Sequence, residues 1–264
     1  MTSHGADTPV LSQRDGEVLR LTLNRPERGN SLVLPLLDAL ITALNDHADA
    51  QALILTGAGR AFSTGGDIGG FLDHAETTDT LTDYASQLVG RLNQTLLALA
   101  DHQGFIISDV NGPVTGGSIG LMLIADHVLL DQSAFIQPYY AQMGFAPDGG
   151  WTAILPDQIG RHRALNWLTR DLRWTADMAG DAGLADTMAD SAGRTAQIDS
   201  LLQHAAQLDG SVMAQARRLT IGVDLADRLE AERQAFLEQI RKPETLARMQ
   251  AFASPSKTSR KGAA

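Results

Sequence analysis

Two glycine-rich turns, each placed directly after an apolar strand-like run, constrain this chain more than any other feature. The first reads GAGRAFSTGGD over residues 57–67 and follows Ala52-Leu53-Ile54-Leu55. The second, NGPVTGGSIG over 111–120, follows the apolar run 105–110 and opens into the helix-like Leu121-Met122-Leu123-Ile124. Glycine lacks the Cβ that keeps a ligand off the main chain. Two such turns can supply converging backbone N–H donors, which is what stabilising an oxyanion on a carbonyl substrate requires. Each turn taken singly has a plainer reading, a tight reversal with glycine in the left-handed region.

The surrounding order is strand, turn, helix, strand. Asp15-Gly16 is a hairpin signal, and Val18, Leu19, Leu21 and Leu23 form a strand that Pro26 ends. Apolar residues at 36, 37, 40, 41 and 44 have helical spacing, and a helix-rich segment runs over about 81–100. Strands 105–110 and 127–130 flank the second turn, an alternation that argues for an α/β fold with buried strands. After Gly150 the strand signal disappears, and segments 152–160, 163–169, 176–183, 196–207 and 224–252 read as helix. No linker divides the halves, so the helical half is expected to pack on the sheet-rich half.

At 264 residues the chain is long enough for a substantial core, and 44% hydrophobic with 20% charged residues is a globular composition. A net charge of −10 argues against nucleic acid held by general electrostatics. With no cysteine, thiolate chemistry and disulfides are excluded. Seven scattered histidines lack ligand spacing, so no metal site is expected. No Gly-x-Ser-x-Gly elbow and no dinucleotide fingerprint occurs. Without a secretory or membrane-spanning pattern, a soluble cytoplasmic protein is the expectation.

At these separations NRPERGNSL, GAGRAFSTGGDI, VNGPVTGGSIGL and GFAPDGGWTAILP resemble the crotonase, or enoyl-CoA hydratase/isomerase, superfamily over roughly residues 18–183. The resemblance implies a ββα spiral core (1–195), a C-terminal helical trimerisation region (196–252) and a disordered tail (253–264). It also implies acyl-CoA thioester substrates, with coenzyme A as part of the substrate and no separate cofactor, and a homotrimer or dimer of trimers. The family's two oxyanion-hole amides match Thr64 and Gly117. Arg25, Ala61, Gly65, Asp67, Ile68, Gly116, Tyr140 and Trp151 are then expected around the substrate. Asp67 is also the natural N-cap of the next segment, Arg25 and Arg28 are candidates for the CoA phosphates or simply solvated, and Tyr139 and Tyr140 line the acyl pocket or pack in the core.

The carboxylates depart from the pattern of the family's hydratases. One glutamate belongs three residues after the oxyanion glycine and a second just after Gln-Pro, but Gly120 and Tyr139 stand there. Between Gly112 and Gly150 the only acids are Asp126, Asp131 and Asp148. The first two read as turn or capping residues. Asp148, in Gly-Phe-Ala-Pro-Asp-Gly-Gly, is ordinary turn sequence by itself, yet some family isomerases carry their acid/base aspartate there. Adding water to an enoyl thioester usually divides proton work between two carboxylates, whereas moving a double bond from C3 to C2 needs one. An isomerase is therefore expected. The alternatives are a hydratase, or another acyl-CoA enzyme of the family, using a carboxylate from 73–83, and a catalytically silent acyl-CoA binder.

Overall fold

Asp15 and Gly16 make the predicted hairpin, with Gly16 at φ +55° in this computed structural model, which describes residues 8–254. Strand β1 (Val10–Asp15) returns antiparallel along β2 (Val18–Leu23). Leu19, Leu21 and Leu23 are fully buried, and polar Ser12 and Gln13 on β1 keep the open edge of the sheet in water. Helix α1 (Leu34–Asp46) buries Leu36, Leu37, Leu40 and Leu44, the stripe its spacing predicts. Strand β3 (Ala52–Gly57) joins β2 in parallel and is covered on both faces.

Helices α2 (Ile68–Asp73) and α3 (Thr78–Asp101) lead to β4 (Phe105–Val110), which pairs in parallel with β3. Two strand–strand–helix units follow. Strand β5 (Val114–Thr115) leaves the main sheet, and a 3-10 turn (Gly116–Ser118) runs into α4 (Ile119–Leu123). Strand β6 (His127–Asp131) then rejoins β4, β7 (Phe135–Gln137) pairs with β5, and α5 (Tyr140–Met143) closes the unit.

Beyond residue 150 come α6 (Leu155–Ile159), α7 (Arg161–Arg170), β8 (Trp174–Thr175), α8 (Ala176–Asp181), β9 (Thr187–Ala189) and α9 (Arg194–Ala205). The expectation of no strands here is wrong. β9 completes the main sheet, β1-β2-β3-β4-β6-β9, and β8 the smaller one, β5-β7-β8. Strands of two or three residues are too short to show alternation, and their partners define them. The helix expected over 152–160 occupies only its second half. The helix expected over 224–252 is two, α11 (Leu225–Ile240) and α12 (Pro243–Ala253), preceded by the unanticipated α10 (Gly210–Ile221). Pro243 at the first turn of α12 has no N–H to continue α11. Helix α11 packs along α3, and α12 against α2 and α5, so the helical half does cover the sheet-rich half. From residue 255 on, the tail expected at 253–264 lies outside the described residues. Among those described, no helix is long and apolar enough to cross a membrane.

Candidate active site

A short parallel bridge stitches the two glycine turns together. Ser63 N–H donates to the Pro113 carbonyl at 3.2 Å, Thr115 N–H donates to the Ser63 carbonyl at 3.1 Å, and the Ser118 hydroxyl donates to the same carbonyl at 3.0 Å. Gly66 and Gly117 lie three residues beyond the bridge partners Ser63 and Val114, one on each strand of the bridge. The turns approach so closely that a Cβ on Gly65 would stand 2.7 Å from the Thr115 carbonyl oxygen.

The amides sort themselves by what they already bond. Thr64 N–H, expected in the oxyanion hole, donates instead to the Gly29 carbonyl at 3.0 Å, and Asp67 N–H to Leu32 at 3.1 Å. Gly66 lies opposite Leu32 in a second parallel bridge made by Gly65 O and Asp67 N. Its own N–H therefore faces away from Leu32, and no acceptor among the described residues takes it. Gly117 is the second residue of the 3-10 turn, ahead of the first bond that turn can make, and its N–H is likewise unpaired. The open donor of the first turn is thus Gly66, a correction to Thr64, whose residue still lines the cavity.

Asp148 sits directly beside this pair. A Cβ on Gly117 would meet the two Asp148 carboxylate oxygens at 2.9 and 3.2 Å. The residue is 7% exposed. Tyr140 donates its hydroxyl to Asp148 Oδ1 at 2.5 Å, with the Asp148 carbonyl at 3.0 Å. Burial pushes the Asp148 carboxyl up to about 7, the Tyr140 hydrogen bond pulls it down, and the charge of Glu232 adds to the rise. Burial and the neighbouring aspartate hold Tyr140 well above its ordinary value, so it stays a donor.

A cavity of about 610 Å³ opens in front of these groups. Gly65, Gly66, Asp67, Ile68, Gly116, Gly117, Tyr139, Tyr140 and Asp148 line it with Leu88, Leu92, Phe71, Phe145 and Phe236, so both tyrosines belong to the pocket wall. Three expected residues do not line it. Ala61 is buried and its carbonyl takes the Asn30 amide at 2.7 Å. Arg25 turns inward, donating to Ser31 O at 2.6 Å and to Asp67 Oδ2 at 3.1 Å, while the exposed Arg28 lines the cavity. Trp151 is fully buried behind the site, donating its indole N–H to Gly116 O at 2.8 Å.

Asp148 and Asp67 are the cavity's carboxylates. Asp67 caps α2 through Gly69 N–H at 3.1 Å. Burial alone would raise it, but the hydrogen bond and charge of Arg25, with the Ser31 hydroxyl, outweigh burial and hold it below the usual range. The glutamate position at Gly120 is walled off, since a Cβ there would stand 2.4 Å from Gly149 O and 2.7 Å from Leu96. Asp126 binds Ile106 N–H and Arg217, and Asp131 binds Ser133 and Arg194, so both are structural. In 73–83, Asp73, Asp79 and Asp83 are exposed and none lines the cavity. Among the described residues no three His, Asp or Glu side chains gather where a metal could be held.

Sequence reasoning missed Glu232 on α11, 3% exposed, which accepts from the N–H groups of Gly150, Thr152 and Ala153. Its signal was legible. It falls within the buried stripe Leu225, Leu229, Glu232, Phe236, Ile240, and a carboxylate on an apolar helix face needs a partner.

Comparison with known proteins shows the family and the fold. The enoyl-CoA hydratase/isomerase family profile matches residues 13–259. A probable enoyl-CoA hydratase of Mycobacterium bovis is 32% identical over 230 residues, 83% of this chain and 79% of that one. The 1,2-epoxyphenylacetyl-CoA isomerase of Escherichia coli is 31% identical over 198 residues, 71% and 74% of the two chains. The crystal structure of enoyl-CoA hydratase from Bacillus halodurans superposes with a TM-score of 0.85 at 22% identity, covering 92% of this chain and 99% of that one, which establishes the crotonase fold.

Proposed function

This chain belongs to the enoyl-CoA hydratase/isomerase family, and we propose that it is an isomerase, moving a double bond from C3 to C2 of an enoyl-CoA thioester. The observation that carries this reading is a single cavity carboxylate held by a hydroxyl rather than a cation, Asp148, buried against Gly117 while the glutamate position at Gly120 is walled off by backbone. The thioester oxygen sits between the Gly66 and Gly117 amides, which makes the C2 proton acidic. Asp148 takes that proton, and the C–H electron pair spreads over C1 to C4 as a dienolate with its charge on the oxygen. The same carboxyl then returns the proton to C4 as C2=C3 forms and C3=C4 is lost. Nothing is consumed, and no water is required. Each oxyanion donor contributes about 3 kcal/mol to the barrier reduction.

Arg28, which lines the cavity where Arg25 does not, is our candidate for the CoA phosphates. The core (1–195) and helical region (196–252) are proposed with this assignment, as is a homotrimer or dimer of trimers in the cytoplasm. Val212 and Leu219, seven residues apart on α10 and 63% and 66% exposed, are apolar surface suited to a second copy.

Hydration is the competing reading, carried by the name of the mycobacterial relative. Product analysis after offering 3-enoyl-CoA and 2-enoyl-CoA separately decides between them. Interconversion of the two supports isomerisation, a 3-hydroxyacyl product contradicts it, and thioester binding without turnover identifies a silent binder.

A further inference from the structure

We propose that Glu232 is a positioning residue for this reaction, holding the 149–153 turn from the C-terminal helices so that the Asp148 carboxylate stays against Gly117 and stays basic. The inference rests on the isomerase reading, in which Asp148 is the base.

The turn relies on an outside acceptor. Gly149 and Gly150 have successive positive φ values of +65° and +98°, which glycine adopts without strain, and the buried N–H groups that follow need acceptors. Glu232 supplies them. Its Oε2 accepts from Gly150 N–H at 2.8 Å. Its Oε1 accepts from Thr152 N–H at 2.6 Å, the Thr152 hydroxyl at 2.7 Å and Ala153 N–H at 2.9 Å. Burial raises the Glu232 carboxyl above its ordinary value, and the hydrogen bonds from Gly150, Thr152 and Ala153 oppose that rise by favouring the ionised form.

The arm carrying Glu232 is rigid. Leu229 and Phe236, one turn to either side, are buried, and Asn93 of α3 donates its amide to Leu229 O at 3.0 Å. The turn it grips has no slack, because a Cβ on Gly149 would stand 2.2 Å from Gly117 O. A small displacement of this turn therefore moves Asp148 relative to the oxyanion amide.

The same carboxylate adds to the field at Asp148. Burial is the main cause that raises Asp148, the Tyr140 hydroxyl lowers it, and the charge of Glu232 adds to the rise. No cation of the packed helices neutralises Glu232. Arg91 of α3 pairs with Asp38, and Arg228 and Arg233 of α11 pair with Asp157 and Glu230. Arg248 of α12 donates to the Ala141 and Gln142 carbonyls. Asp67, across the cavity, is neutralised by Arg25. A like charge fixed nearby keeps the proton affinity of Asp148 high, as a base requires.

The test is Glu232→Gln in the full chain, read two ways. The Asp148 titration is followed by carboxyl carbon-13 NMR without substrate, and 3-enoyl-CoA turnover is measured in parallel. The expected result is an Asp148 midpoint below the wild-type value and a kcat lower by up to about 10²-fold at little-changed KM, the scale of a misplaced catalytic group. Glu232→Asp, which keeps the charge, recovers part of both. A folded Glu232→Gln protein with the wild-type midpoint overturns the proposal, whether kcat is unchanged or falls together with a rising KM. If Glu232→Gln does not fold, Glu232→Asp and Thr152→Val decide, with a lower kcat at steady KM supporting the role and an unchanged kcat refuting it. If the wild type does not isomerise 3-enoyl-CoA, the functional reading fails, while the NMR midpoint still judges Glu232.

Discussion

At the scale of single residues, the site works because two amides are left unpaired beside one carboxylate that has no cationic partner among the described residues. Ser63 and Asn30 are occupied by the main chain, Asp67 by Arg25, and Thr64 N–H by Gly29. Asp148 must be ionised to accept a proton, so kcat/KM for 3-enoyl-CoA is expected to rise with pH through a midpoint near the Asp148 value of about 7. The Tyr140 hydroxyl favours the ionised carboxylate, so Tyr140→Phe moves that ascending limb to higher pH. A limb that stays put in this variant separates the two groups. Restoring the hydratase-type glutamate fails for steric reasons. Gly120→Glu drives a Cβ into the Gly149 carbonyl at 2.4 Å, and overpacking of this kind costs about 1–3 kcal/mol. Denaturant unfolding should show that loss, with no gain of 3-hydroxyacyl product.

At the scale of elements, aromatic packing holds the second glycine turn in place. Trp167 stacks on Trp174 at 3.7 Å and meets Trp151 edge-on at 5.0 Å, and Trp151 holds Gly116 O. Trp167 is fully buried, so Trp167→Ala is expected to cost about 3–5 kcal/mol, measured as a fall in Tm and in denaturant midpoint. The long elements were legible because their periods are: α1 and β4 fall where their apolar residues place them. Strands β8 and β9 were not, since two or three residues carry no period. The break between α11 and α12 was legible in principle from Pro243, and the apolar spacing on either side concealed it. The glycine turns announced the site but not which amides stay open. That depended on Gly29 and Leu32, whose carbonyls come from another loop.

At the scale of the whole molecule, catalysis and stability pull Asp148 in opposite directions. Its carboxyl titrates near 3.8 in the unfolded chain and near 7 in the folded one. Between those values the folded protein holds the extra proton, so this contribution to stability is fully present below about pH 4 and is lost as pH rises through about 7. Asp148→Asn removes the loss. Its Tm relative to wild type should climb over that window and level off above it, as followed by calorimetry at a series of pH values. Because the cavity is apolar and Asp148 is 7% exposed, the proton it carries should outrun exchange with water. The most direct measurement is therefore isomerisation, in ordinary water, of a 3-enoyl-CoA carrying deuterium at C2. A single buried shuttle predicts deuterium recovered at C4 of the 2-enoyl product. A C4 hydrogen drawn wholly from solvent, or a 3-hydroxyacyl product, would contradict it.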